Sequence, residues 1–315
     1  MGLFDWLRPP PALDAQTAAL IGRAVATVDP LLQTVGGHER ILAESVRHAY
    51  DYCERVAMAI PGPFEISRAA FATDPLVHAL FGSADDVEQM LARSQCVRDY
   101  LAGHAVVPPG QCCAMLGMRR HVTAGFGSRV AGEIIVHDEP QKTLSFADHT
   151  LAEPSPDLDG AHRRLAEAMF DGLLKGFVAH VDEVREERQE LRDEQSVARA
   201  HARSEGPESH TRRLAELQER LRETVDALQP ARLLETLVAY LAAPEASLRL
   251  DPVQLAVNRF GVIVDADEPQ ADILRFVELT TRDLRRWVVM TVRIDREEAR
   301  AAVERFDERR RYIVI

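Results

Sequence analysis

His121, Glu133, His137, Asp148 and His149 fall within one short stretch of the chain. Imidazoles and carboxylates exchange protons near neutral pH, so a His and carboxylate sharing a surface are candidates for general acid–base work. A simple strand register brings His121 and Asp148 to one face with Glu133 nearby. No nucleophile accompanies them, and half-exposed strands carry such pairs without doing chemistry. The alternative functional reading of the chain is built on these five residues: an enzyme or small-ligand-binding protein with a pocket between this stretch and the helices that precede it.

Metal ligation has less to work with. Cys96, His104, Cys112 and Cys113 are the residue types zinc takes, yet their spacing matches none of the common zinc frameworks. Together with Cys53 they form no CxxC pair and read as reduced thiols, so neither a metal nor a cofactor is expected. The glycines of Ala124-Gly125-Phe126-Gly127-Ser128-Arg129 resemble a phosphate loop only superficially, because a phosphate loop runs from a strand into a helix and this one runs from strand to strand. Arg282, Arg285, Arg286 and Arg293 beside Trp287 suggest an anion site, but Glu278, Asp283 and Asp295 lie close enough in sequence to make a salt-bridged sheet face.

Composition narrows the function classes. The 315 residues are 46% hydrophobic and 28% charged, with a formal net charge of -12. An acidic chain is poorly suited to nucleic acid, whose phosphates call for a basic face. Lys142 and Lys175 are the only lysines, so arginine supplies nearly all the positive charge. No segment reaches the ~20 apolar residues that span a bilayer. Phe4 and Trp6 make a small apolar patch before Pro9 to Pro11, a candidate for membrane contact with too little area to anchor strongly. No secretory leader is evident, and a cytoplasmic location is expected.

These residues need elements to position them, and cap and breaker signals supply four consecutive regions. Residues 1–105 read as helical, with helices over Ala15 to Val28, Gly37 to Ile60, Leu76 to Phe81 and Ala84 to Leu101. Residues 106–157 read as a small antiparallel meander of three strands, Cys112 to Val122, Ser128 to Val136 and Thr143 to Ala147, turned at Gly125-Phe126-Gly127 and at Asp138 to Gln141. Residues 158–243 read as a long helical arm. Residues 244–315 read as a mixed unit with strands at Ser247 to Leu250, Val262 to Val264, Ile273 to Thr280, Arg286 to Ile294 and Arg311 to Ile315, and a helix from Arg296 to Phe306. The fold class expected is α+β.

The arm organises the rest. Leu165, Met169, Leu173, Phe177, Val181 and Val184 keep one apolar face, after which the sequence turns polar and only Leu191 and Val197 remain as large aliphatic residues. Gly206 and Pro207 break the helix, and Leu214, Leu217, Leu221, Val225 and Leu228 then resume a stripe. Two helices joined by so short a connection lie antiparallel. The expectation is a charged, coiled-coil-like hairpin roughly 65 Å long that projects from the domains. It favours a non-catalytic adaptor or assembly protein that meets a protein partner, or a second copy as a homodimer, through Leu191, Val197, Leu214, Leu217 and Leu221.

Overall fold

The computed structural model describes residues 13–103, 110–131, 134–205, 211–268 and 271–311, with side-chain surroundings for all of these except 129–136, 203–205 and 310–311. Phe4, Trp6, Glu133, the Gly206-Pro207 break and the last four residues of the expected C-terminal strand lie outside the described residues. The fold is α+β, as the sequence indicates. Its chain divides into two compact units, each drawn from two segments: Met1–Cys53 with Ala168–Ser247, and Glu54–Glu167 with Leu248–Ile315. Among the described residues no helix is long and apolar enough to cross a membrane.

The first unit is helical. Asp14 caps α1 (Ala15–Val28) by accepting from the Thr17 amide at 2.8 Å, and Asp29 ends it and caps a 3-10 turn, Pro30–Thr34. Most of α2 (His38–Ala59), α7 (Leu158–Glu205) and all of α8 (Thr211–Ala227) and α9 (Pro230–Leu241) complete it. Buried residues recur at four-residue steps, Met169, Leu173 and Phe177 in α7 and Leu233, Leu237 and Leu241 in α9, which is a spacing that lines up one helix face. Tyr50 meets Phe170 edge to face at 5.9 Å, and Phe177 meets Tyr240 at 5.3 Å. Arg185 donates to Asp29 at 3.2 Å, close to where α7 loses its apolar face.

The second unit is a six-stranded sheet with helices packed on it. The strands are β1 (Phe64–Glu65), β2 (Gln111–Ala131), β3 (Ile134–Ser155), β4 (Leu248–Val257), β5 (Asp272–Thr281) and β6 (Arg286–Asp295), in the order β3-β2-β6-β5-β4 with β1 parallel to β6. Cys112, Ala114, Leu116 and Met118 stand directly opposite Ile294, Val292, Met290 and Val288. Every second residue faces the same way along a strand, so these eight form one apolar surface. It shares a buried core with residues of α3 (Arg68–Thr73), α4 (Pro75–Leu80), α5 (Ala84–Arg93), α6 (Gln95–Gly103) and α10 (Arg296–Arg311). Each of α3, α4, α5 and α10 starts on a side-chain cap, from Ser67, Asp74, Ser83 and Asp295 respectively. Glu278 is buried on the core face and accepts from Arg120 at 2.6 Å.

Several expectations change. The three-stranded meander is two long strands, β2 and β3, paired as one hairpin. Gly125, Phe126 and Gly127 stand opposite Gln141, Pro140 and Glu139, so the two presumed turns face each other across the ladder. Their irregularity is absorbed in a register shift between Gly127 and Arg129 and at Asp138, whose φ is 60°, instead of reversing the chain. The helix expected over Ala84 to Leu101 is two, because Ser94 leaves the helical conformation. The strand expected over Ser247 to Leu250 starts at Leu248 and runs on to Val257 as β4, and Arg311 ends α10 in place of starting a strand. Val262 and Ile263 make only isolated bridges, to Thr143 and Val257. Those bridges matter, since the Leu144 amide donates to Gly261 and the Ile263 amide to Lys142, each at 2.8 Å, and so the two outer strands of the sheet are brought together.

Candidate functional site

The α7/α8 hairpin is the site the sequence favours, and its geometry follows from charge placed every seven residues. Arg220 Nη2 lies 2.7 Å from Glu187 Oε1, and Arg213 Nη2 lies 2.7 Å from Glu194 Oε2. Moving seven residues forward on one helix requires moving seven back on the other, which fixes the helices as antiparallel. Between these two ion pairs the hairpin closes its own core. Leu191 is 2% exposed and Leu217 1%, whereas Leu214 and Leu221 are half-buried. Leu191 and Leu217 are therefore spent inside the hairpin, and Val197, 56% exposed, is the one of the five candidates with most of its surface outward.

Val197 lies in a concavity of about 600 Å³ lined by Glu190, Asp193, Glu194, Ala198 and His201 of α7 and by Arg213 and Leu217 of α8. Arg213 is already engaged with Glu194. Asp193 accepts from Gln189 at 3.0 Å, and Glu190 has no ion-pair partner among the described residues. Sequence reasoning picked the aliphatic residues and passed over Glu187, Glu194, Arg213 and Arg220, although opposite charges at matching seven-residue spacings on the two helices were there to be read.

The alternative set is strung out along the β2/β3 hairpin. His121 is exposed and paired in register with Ser145. His137 shares a hydrogen bond with Ser128, Nδ1 to Oγ 2.8 Å. Seven residues separate Ser128 from His121, roughly 23 Å along an extended strand. Asp148 sits on a bulge with φ 57°, exposed, with Arg119 at 3.8 Å. His149 turns inward, stacks on Phe81 at 4.6 Å and bonds the Leu80 carbonyl oxygen through Nε2 at 2.8 Å. Burial holds its imidazole below the ordinary value of 6.5. Asp148 and His149 are thus neighbours in sequence with different surroundings, and His137 is far from both.

A groove of about 740 Å³ does lie beside β3, between Asp86, Arg93 and Cys96 on the helices and Phe146, His149 and Leu151 on the strand. Its thiol is not primed for attack: Cys96 donates to the Leu151 carbonyl oxygen at 2.9 Å, and burial pushes its pKa up. Burial likewise pushes Cys112 up to about 11. In the β5–β6 turn, Arg285 is drawn into a local pair with Asp283 at 2.8 Å. Among the described residues no group of three His, Cys, Asp or Glu side chains could hold a metal ion. Comparison with protein-family models, with curated proteins and with solved structures finds no match to this chain.

Proposed function

We propose that this chain is an adaptor or assembly protein whose association element is the α7/α8 hairpin, engaging a protein partner or a second copy. One observation carries the reading. The hairpin satisfies its own fold with Leu191, Leu217 and two interhelical ion pairs, and still presents an exposed aliphatic residue, Val197, inside an acid-rimmed concavity. Contact surfaces of this make, an apolar centre within a polar rim, are what protein interfaces use.

The test replaces residues 189–218 by a short Gly/Ser linker. Arg220 and Glu187 stay in the chain, and the sheet and the remaining helices are untouched. Circular dichroism and a cooperative melt are expected to show the rest folded, while quantitative affinity isolation and light scattering show association lost. Undiminished association in the shortened chain would contradict the proposal.

A second reading, small-ligand binding, draws on the groove beside β3. Saturable thermal stabilisation by a metabolite, abolished by Arg93→Gln, is the result that would favour it.

A further inference from the structure

The α7/α8 concavity has a chemistry that selects among partners. Glu186, Glu190 and Glu194 follow one another at four-residue steps, with Asp193 beside them. Like charges at this spacing weaken a helix, the reverse of the pairs that stabilise one. Among the described residues, only Glu194 of the three has an ion-pair partner within the hairpin, Arg213 at 2.7 Å. One turn beyond, Val197 and Ala198 with Leu217 across the groove provide an apolar floor. Acid on one rim, aliphatic surface below and a shape set by two antiparallel helices fit a third helix laid into the groove, as amphipathic helices are commonly bound.

We infer that this groove takes an amphipathic helix of a partner protein that carries Lys or Arg beside its apolar ridge. The ridge seats on Val197 and Ala198, above the buried Leu217, and the flanking cations meet Glu190 and Asp193. This rests on the reading of the hairpin as the association element and adds the class of partner.

The probe is a synthetic helical peptide with leucines at i, i+3, i+4 and i+7 flanked by lysines, and its control has the same leucines flanked by glutamates. Both are titrated by fluorescence anisotropy against the full chain. Saturable binding of the basic peptide alone is expected, weakening as salt rises. Glu190→Lys with Asp193→Lys should weaken it about tenfold, the loss of two exposed charge pairs. Val197→Asp should abolish it, and because Val197 is exposed the fold survives, which helicity measurements check.

Equal binding of the two peptides, or an unchanged affinity after charge reversal, would overturn the inference. So would a dimer, seen by light scattering, that Val197→Asp dissociates while neither peptide binds, since the occupant would then be a second copy. If removing residues 189–218 leaves native associations intact, the adaptor reading itself fails. If that removal abolishes them and charge reversal leaves peptide affinity unchanged, only the basic partner is wrong.

Discussion

Gly62 has φ 127°, a region that L side chains rarely enter, and a Cβ placed there would overlap the Thr291 carbonyl oxygen. The close approach lets the Thr291 amide donate to the Pro61 carbonyl at 2.8 Å, which ties the lead-in to β1 against β6. Gly62→Ala therefore combines backbone strain with a clash, and a loss of about 2–4 kcal/mol is expected in urea unfolding. A change within about 0.5 kcal/mol would show that β1 does not depend on this contact. His149 supports a pH prediction. Its folded pKa is lowered by burial, so the unfolded chain takes up a proton near 6.5 while the folded chain resists it. Its contribution is full above that value and is lost as pH falls below it. Unfolding midpoints of the native chain and of His149→Gln, compared at about pH 7.5 and about pH 5.5, should converge at the lower pH. A gap of constant size would mean that His149 protonates equally well in both states.

At the scale of elements, the hairpin and the ribbon teach different lessons about what a sequence reveals. Helix signals act locally, so the ends expected at Ala15, Val28 and Arg296 agree with α1 and the start of α10, where Asp14, Asp29 and Asp295 cap or close the helix. Leu191 and Leu217 were legible as a stripe, though reading a stripe does not say whether it faces a neighbour helix or a partner. The β2/β3 ribbon was legible as strand and misread in topology, because a turn signal opposite another turn signal becomes a bulge. Register shifts between Cys113 and Met115, Gly117 and Arg119, and Gly127 and Arg129 each change which residues share a face. The shift between Gly117 and Arg119 leaves Asp148 in the bulge, where it meets Arg119 at 3.8 Å, two residues along the strand from His121. If the hairpin holds itself together as described, Leu191→Ala should loosen it locally by about 2–4 kcal/mol. Amide exchange across Thr211–Ala227 should accelerate while β2 and β6 keep their protection. Faster exchange in the sheet with no change in α8 would contradict that account of the arm's core.

Across the whole molecule, each compact unit gathers segments far apart in the chain, and that is where single-sequence reasoning has least purchase. Nothing local in Gln111 to Met118 announces that it pairs with Val288 to Asp295, yet that pairing joins the two strand-rich regions into one sheet. The hairpin, by contrast, is made by residues close in sequence, and the functional proposal rests on that part. Its central claim is that association passes through the groove around Val197 and not through the ribbon. A photoreactive amino acid placed at Val197, and separately at Asp148 as a control on the exposed ribbon, tests this inside cells that produce the protein. Discrete protein adducts from position 197, absent from position 148, are the expected result. Adducts confined to position 148 would contradict the account and move the association surface to the β2/β3 ribbon.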